Sequence, residues 1–165
     1  MGTSDFTNPY NETNADAAKR LYTSATQKYD LKDYAEAVRL YEQAWQKDPY
    51  VGTFHNPALC YYHGWGTAKN AMRCHDLTFH AARMNDAQSM YNLASFYSSG
   101  FGCEANPKNA RYWLEQAANK GYIPARYTLA VKQHAEAQAN PPLLHFCYRN
   151  LKAAADNGHE KAQRL

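Results

Sequence analysis

Apolar residues recur at helical spacing along most of this chain. Between Ala87 and Ser98 they stand at Met90, Leu93, Ala94 and Tyr97, the i, i+3, i+4, i+7 positions of one helix face. Gly100 and Gly102 follow and stop that helix. A second amphipathic stretch begins near Pro107, whose missing N–H would have no intrahelical partner in a first turn. It runs through Ala110, Trp113, Leu114 and Ala117 to Gly121, which suits the position just past a helix end. The pair predicts a helix hairpin. Upstream, Ala18, Leu21, Tyr22, Ala25 and Tyr29 mark one apolar face. Tyr34, Ala37, Val38, Tyr41, Ala44 and Trp45 mark another, closed by Asp48-Pro49, which predicts a further hairpin at the N-terminal side.

The hairpins repeat with a period of 36 residues. Ala58, Tyr61, Gly64, Trp65 and Gly66 recur as Ala94, Tyr97, Gly100, Phe101 and Gly102, and Ala81-Ala82 recur as Ala117-Ala118. An offset of 37 carries Ala117, Ala118 and Gly121 to Ala154, Ala155 and Gly158. Leu93-Ala94, Tyr97, Gly100-Phe101-Gly102, Asn109-Ala110, Trp113, Ala117-Ala118 and Gly121 resemble the Sel-like repeat, a branch of the tetratricopeptide superfamily. Asp33-Tyr34, Ala37, Tyr41, Ala44 and Asp48-Pro49 are similar to the second helix and end of an ordinary tetratricopeptide repeat. The resemblance implies an all-α fold, a right-handed α-solenoid of stacked helix hairpins. Residues 1–13 are expected to be a flexible segment and 14–165 one solenoid domain. That domain divides into a tetratricopeptide-like hairpin over 14–49, Sel-like repeats over 50–85, 86–121 and 122–158, and the start of a capping helix over 159–165. Two departures from the pattern stand out. Pro57 falls inside an expected first helix, where it should kink or shorten it, with His63 and Gly64 ending that helix early. The last repeat has Ala139-Asn140-Pro141-Pro142 in place of the Gly-x-Gly turn.

Aligning the first helices places Ala25, Ala58, Ala94 and Ala130 in one column, small enough for neighbouring helices to approach closely, and therefore core. The adjoining columns read Tyr22, His55, Tyr91, Tyr127 and Thr23, Asn56, Asn92, Thr128. A further one, Tyr29, Tyr62, Ser98, His134, lies toward the turns. By the resemblance these columns line a concave face where a peptide binds. Rings supply area at low entropy cost and Asn can both donate to and accept from a peptide backbone. The candidate partner-binding residues are Tyr22, His55, Asn56, Tyr62, Tyr91, Asn92, Ser95, Tyr127 and His134, with Tyr91 and Asn92 expected to be exposed. The competing face is that of the turns, with Trp65 and Phe101 as exposed aromatics.

Composition agrees with helices. Ala takes 27 of the 165 positions while Val and Ile together take four, which leaves little material for strands. The net charge of +3 is well short of what phosphate neutralisation calls for, so no nucleic acid is expected, and the partner that the resemblance implies is a protein or peptide. No apolar run approaches the roughly 18 residues of a membrane span. The start shows no basic and apolar leader pattern, so the chain reads as soluble and cytoplasmic as written, or periplasmic or secreted if a leader was removed.

Catalytic chemistry is harder to place. His75 and His80 lie five apart, about 140° around a helix, so they do not share the face that i, i+4 metal ligands use. Cys103 follows Gly102 in a turn with no nucleophile motif around it, and Cys74 and Cys147 fall in a column with Ala110 that reads as core. No catalytic residue, metal or cofactor is expected. The chain reads as an interaction module: an adaptor, assembly factor or regulator. The alternative is a bacterial immunity protein or periplasmic regulator that blocks one enzyme or sensor. A third reading, a β-lactam hydrolase, follows from the resemblance to cysteine-rich members, but the alternating cysteine pairs of that subgroup are missing here.

Overall fold

Side-chain caps and left-handed glycines set the helix boundaries. Thr13 Oγ1 accepts the Asp16 N–H (3.1 Å), the Asp86 carboxylate accepts the Ser89 N–H (2.7 Å), and Asn106 Oδ1 accepts the Asn109 N–H (3.1 Å). Each satisfies a donor that a helix start leaves open, worth about 1 kcal/mol. In this computed structural model, residues 12–137 and 144–156 are described. Among them are the helices α1 (Asn14–Asp30), α2 (Tyr34–Lys47), α3 (His55–His63), α4 (Ala71–Arg83), α5 (Ala87–Ser99), α6 (Pro107–Asn119), α7 (Ile123–Ala137) and α8 (Leu144–Asp156), and no strand. The expected capping helix over 159–165 and the Ala139–Pro142 loop lie outside the described residues, as does the N-terminal segment apart from Glu12 and Thr13. Those two residues are tied down: Glu12 receives Arg20 through two hydrogen bonds of 3.0 Å, and Thr13 caps α1.

The chain divides into two compact units, Met1–Asn70 and Ala71–Leu165. In the first, α1 lies on α2, and α2 contacts α3. Its centre is Phe54, 1% exposed, met edge-on by Tyr22, Tyr41 and Trp45 at centroid distances of 5.4, 6.3 and 4.9 Å. Phe54 is also the residue before α3, with a left-handed φ of 49°. That conformation costs roughly 1–2 kcal/mol for an L-residue, and burying the ring offsets it by a similar amount.

This arrangement bears out a shortened α3, 9 residues against the 13 of α5, and corrects which end is shortened. The helix does not end early: His63 and Gly64 stand 36 residues before Ser99 and Gly100, where α5 ends. It begins late instead, at His55, which puts Pro57 in the first turn where no hydrogen bond is lost. The proline is thus accommodated in the first turn, and the helix end is left alone.

In the second unit α4 packs on α5, α5 on α6, α6 on α7 and α7 on α8. Ala25 and Ala58 in the first unit and Ala94 and Ala130 in the second are all buried, as the alignment predicts, and so are Cys74 and Ala110. The side chain of Cys147 lies outside the described residues.

The turns repeat down to single hydrogen bonds. Gly64 and Trp65 donate to the Cys60 carbonyl (2.8 and 3.0 Å) and Asn70 to Tyr61. Thirty-six residues on, Gly100 and Phe101 donate to Phe96 (2.8 and 3.0 Å) and Asn106 to Tyr97. The first glycine of each pair caps the helix at positive φ. The second, also at positive φ, lies against backbone of the preceding hairpin: a Cβ on Gly66 would sit 2.3 Å from Ala35 N, and one on Gly102 2.1 Å from Ala71 O. The second position is where one repeat seats on the previous one.

Candidate functional site

In the first unit the candidate residues serve mainly to build the unit. The Tyr22 ring packs between Tyr41 and Phe54 and fills the space above Gly52, where a Cβ would lie 2.3 Å from it. Asn56 Nδ2 donates to Tyr41 Oη (3.3 Å), Tyr41 shares a 3.0 Å hydrogen bond with Thr26 Oγ1, and Thr26 donates to the Tyr22 carbonyl (3.0 Å). This chain of hydrogen bonds joins α1, α2 and α3, and burial pushes the Tyr41 phenol above its ordinary range. His55 is half-buried. Tyr62, 45% exposed, stands at the end of a row of rings: it meets His63 edge-on, His63 stacks on Trp65 (4.3 Å), and Trp65 stacks on Tyr34 (5.1 Å).

In the second unit α5 and α7 bring the remaining candidates together. Tyr91 on α5 reaches Thr128 on α7, Oη to Oγ1 3.3 Å, and its ring lies 5.5 Å from that of Tyr122. Thr128 donates in turn to the Pro124 carbonyl (2.9 Å), so it is the Tyr91 hydroxyl that donates to Thr128. The expected exposure of Tyr91 and Asn92 is therefore corrected: both are half-buried, because α7 comes close enough to hold the Tyr91 ring and hydroxyl. Tyr127 and His134 are half-buried as well. Ser95 and its counterpart 36 residues on, Val131, are exposed beside them. Burial, with a smaller contribution from Tyr91, raises the Tyr122 phenol pKa.

The Sel1 repeat family model matches residues 28–48, 55–86 and 87–122, more than half of the chain. The chain belongs to the Sel1 repeat family. Sel1 repeat proteins are in general protein–protein interaction modules, typically non-enzymatic. No curated protein matches in sequence. Among solved structures, a Sel1 repeat protein from Oxalobacter formigenes is similar at a TM-score of 0.70 and 22% identity, over 86% of this chain and 57% of that one. So is c5321, a protective antigen of uropathogenic Escherichia coli with the same fold, at 0.68 and 18%, over 91% of this chain and 35% of that one. The chain spans little more than half of the first structure and about a third of the second. At these identities the likeness concerns the fold.

The Sel1 repeat turns treat their aromatics differently. Phe101 folds inward on Phe96 (4.8 Å) and is half-buried, whereas Trp65, at the equivalent position, stacks on Tyr34 and stays 36% exposed. Phe96 corresponds to Cys60 in the earlier repeat, which offers no ring to fold onto, so the single expectation of two exposed turn aromatics divides. Burial pushes the Cys60 and Cys74 thiols up to about 11 and raises Cys103, whose Sγ lies 3.8 Å from the Phe96 carbonyl. His75 Nδ1 lies 3.6 Å from Asp76, with its ring against Phe79 and Tyr97. Among the described residues no three His, Cys, Asp or Glu side chains gather as a metal site, and no helix is long and apolar enough to cross a membrane.

Proposed function

We propose that this Sel1 repeat protein is a non-enzymatic module, an adaptor, assembly factor or regulator, and that a partner polypeptide docks on the α5–α7 face of residues 71–165. The reading rests chiefly on Tyr91. Its hydroxyl and ring are fixed by Thr128 and Tyr122 while the residue stays only half-buried, with Ser95 exposed one helical turn further along α5. An aromatic held in place before binding loses little freedom on contact, which is how a surface ring becomes an anchor. Tyr22 and Asn56 belong to the internal network of the first unit in this reading and contribute to stability, while Tyr127 and His134 flank the anchor.

Photo-cross-linking tests the proposal. Benzoylphenylalanine at Ser95, an exposed position, should capture a discrete partner in cells, whereas the same group at Tyr112, exposed on α6, should not. Capture from position 112 with none from position 95 would overturn the assignment of the face.

A further inference from the structure

Helices α4, α6 and α8 are the same element one repeat apart. Each has 13 residues; α6 starts 36 residues after α4, and α8 starts 37 after α6. Their burial does not repeat. Thr78 on α4 and Leu114 on α6 are buried, while their counterpart on α8, Leu151, is half-buried. Ala82 and Ala118 are buried, and Ala155 is again half-buried. The difference follows from the next helix along the chain. α5 packs on α4 and α7 on α6, whereas no helix follows α8 among the described residues. Leu114 lines one cavity with Leu129 and Gln133 of α7, and Arg126 Nε of α7 donates to the Ala118 carbonyl (3.1 Å), so these are the positions of α6 that α7 covers. On α8 the equivalent positions are only partly covered. α7 holds that helix within its own hairpin, where Asn150 Nδ2 donates to Gln133 Oε1 (3.1 Å). A hairpin in a repeat array cannot bury both of its faces by itself.

We propose that a partner polypeptide seats an amphipathic helix on this face of α8, in the place that α5 takes on α4 and α7 on α6. The two seated helices define what the incoming one carries. Ser89, Leu93 and Ala94 on α5 correspond to Ala125, Leu129 and Ala130 on α7, and all six are buried. The incoming helix therefore has a small residue at i, Leu at i+4 and Ala at i+5, with polar residues on its outer side. A second copy of this chain does not supply it. Its α3 is packed on α2, and its α5 and α7 are packed between helices of their own unit. Its α1, aligned through Ala25 and Ala130, offers Arg20, Ser24 and Lys28 where α7 has Ala125, Leu129 and Gln133, and Arg20 and Lys28 are held in ion pairs by Glu12 and Asp33. The contact is separate from the α5–α7 docking face and does not depend on it.

The test is a nuclear magnetic resonance titration of the isotope-labelled full chain with a blocked peptide of the α7 sequence, residues 123–137, followed at the backbone amides of 144–156. Saturable shifts at Leu151 and Ala155 are expected. The same peptide with Leu129→Asp should bind about tenfold or more weakly, because a carboxylate replaces the side chain that is buried in the contact. The substitution is in the peptide, so a loss of binding cannot come from misfolding of the protein. No saturable shift within 144–156, equal binding of the two peptides, or shifts confined to 107–119, where the peptide would be displacing α7, overturns the proposal. Sedimentation equilibrium of the chain alone checks the occupant. A monomer is expected, and a dimer that the α7 peptide dissociates would put a second copy on this face and overturn the choice of partner.

Discussion

Alanine substitutions at Gly100 and Gly102 separate two reasons for the same residue type. Both glycines have left-handed backbone, at φ 75° and 69°, so each alanine carries the same conformational cost, roughly 1–2 kcal/mol. The surroundings differ. A Cβ on Gly100 would meet Cys103 O at 3.4 Å and Ala105 Cβ at 3.5 Å, ordinary contacts. On Gly102 it would lie 2.1 Å from Ala71 O, 2.6 Å from Ala71 C and 3.0 Å from His75 Cβ. Relief requires the turn and the start of α4 to separate by about 1.3 Å, the difference between 2.1 Å and the 3.4 Å of an ordinary contact. Backbone at a helix start cannot rotate away as a side chain would. Overpacking of this kind adds roughly 1–3 kcal/mol. Gly100→Ala should therefore lose about 1–2 kcal/mol and Gly102→Ala about 2–5 kcal/mol, the larger loss of the two. Urea unfolding followed by circular dichroism at fixed pH measures both. Equal losses in the two variants would refute the claim that the second glycine is set by close approach between repeats.

The remaining predictions address the pH response, the packing and the caps. Cys60 and Cys74 have folded-state pKa values of about 11 against an ordinary 9.0, so the unfolded chain releases protons first as pH rises. Stability should be complete below about pH 9 and decline toward pH 11, by up to about 2.7 kcal/mol per thiol, and a Cys60→Ala, Cys74→Ala variant should decline less. Ala94→Leu should overpack the small-residue column and cost roughly 1–3 kcal/mol, read as a lower unfolding midpoint. Asn106→Ala should cost about 1 kcal/mol through loss of the α6 cap, lowering the melting temperature by roughly 2–4 °C. Tyr91→Phe should lose about 1 kcal/mol of stability with the Thr128 hydrogen bond and leave helicity unchanged by circular dichroism.

The sequence shows the hairpins because their determinants are local. The i, i+3, i+4 spacing, Pro107 in a first turn and the glycines after each first helix act within a few residues of chain. The small-residue column was equally legible, since a position that is Ala in every repeat leaves no room for another role. The shortening of α3 at Pro57 was legible, but not that it falls at the start, because that start is set by Phe54 inserting among Tyr22, Tyr41 and Trp45, residues up to 32 positions away. Tyr22 and Tyr91 occupy the same column and are both half-buried, yet one packs on Tyr41 and Phe54 and the other is held by Thr128 and Tyr122. The Trp65 and Phe101 pair likewise diverges because the residue five positions earlier is Cys in one repeat and Phe in the other.

What the sequence determined by itself is the all-α hairpin architecture and the family, both carried by periodic signals that need no knowledge of distant contacts. What only the tertiary structure decided is how individual side chains are used: that Tyr91 is anchored, that Asn56 belongs to an internal hydrogen-bond chain, that Gly102 lies against Ala71, and that Gln133 accepts from Asn150. A repeat fixes which residue type stands at each column. Burial and hydrogen bonding depend on which neighbour faces that column across the hairpin interface, and that neighbour differs from one repeat to the next.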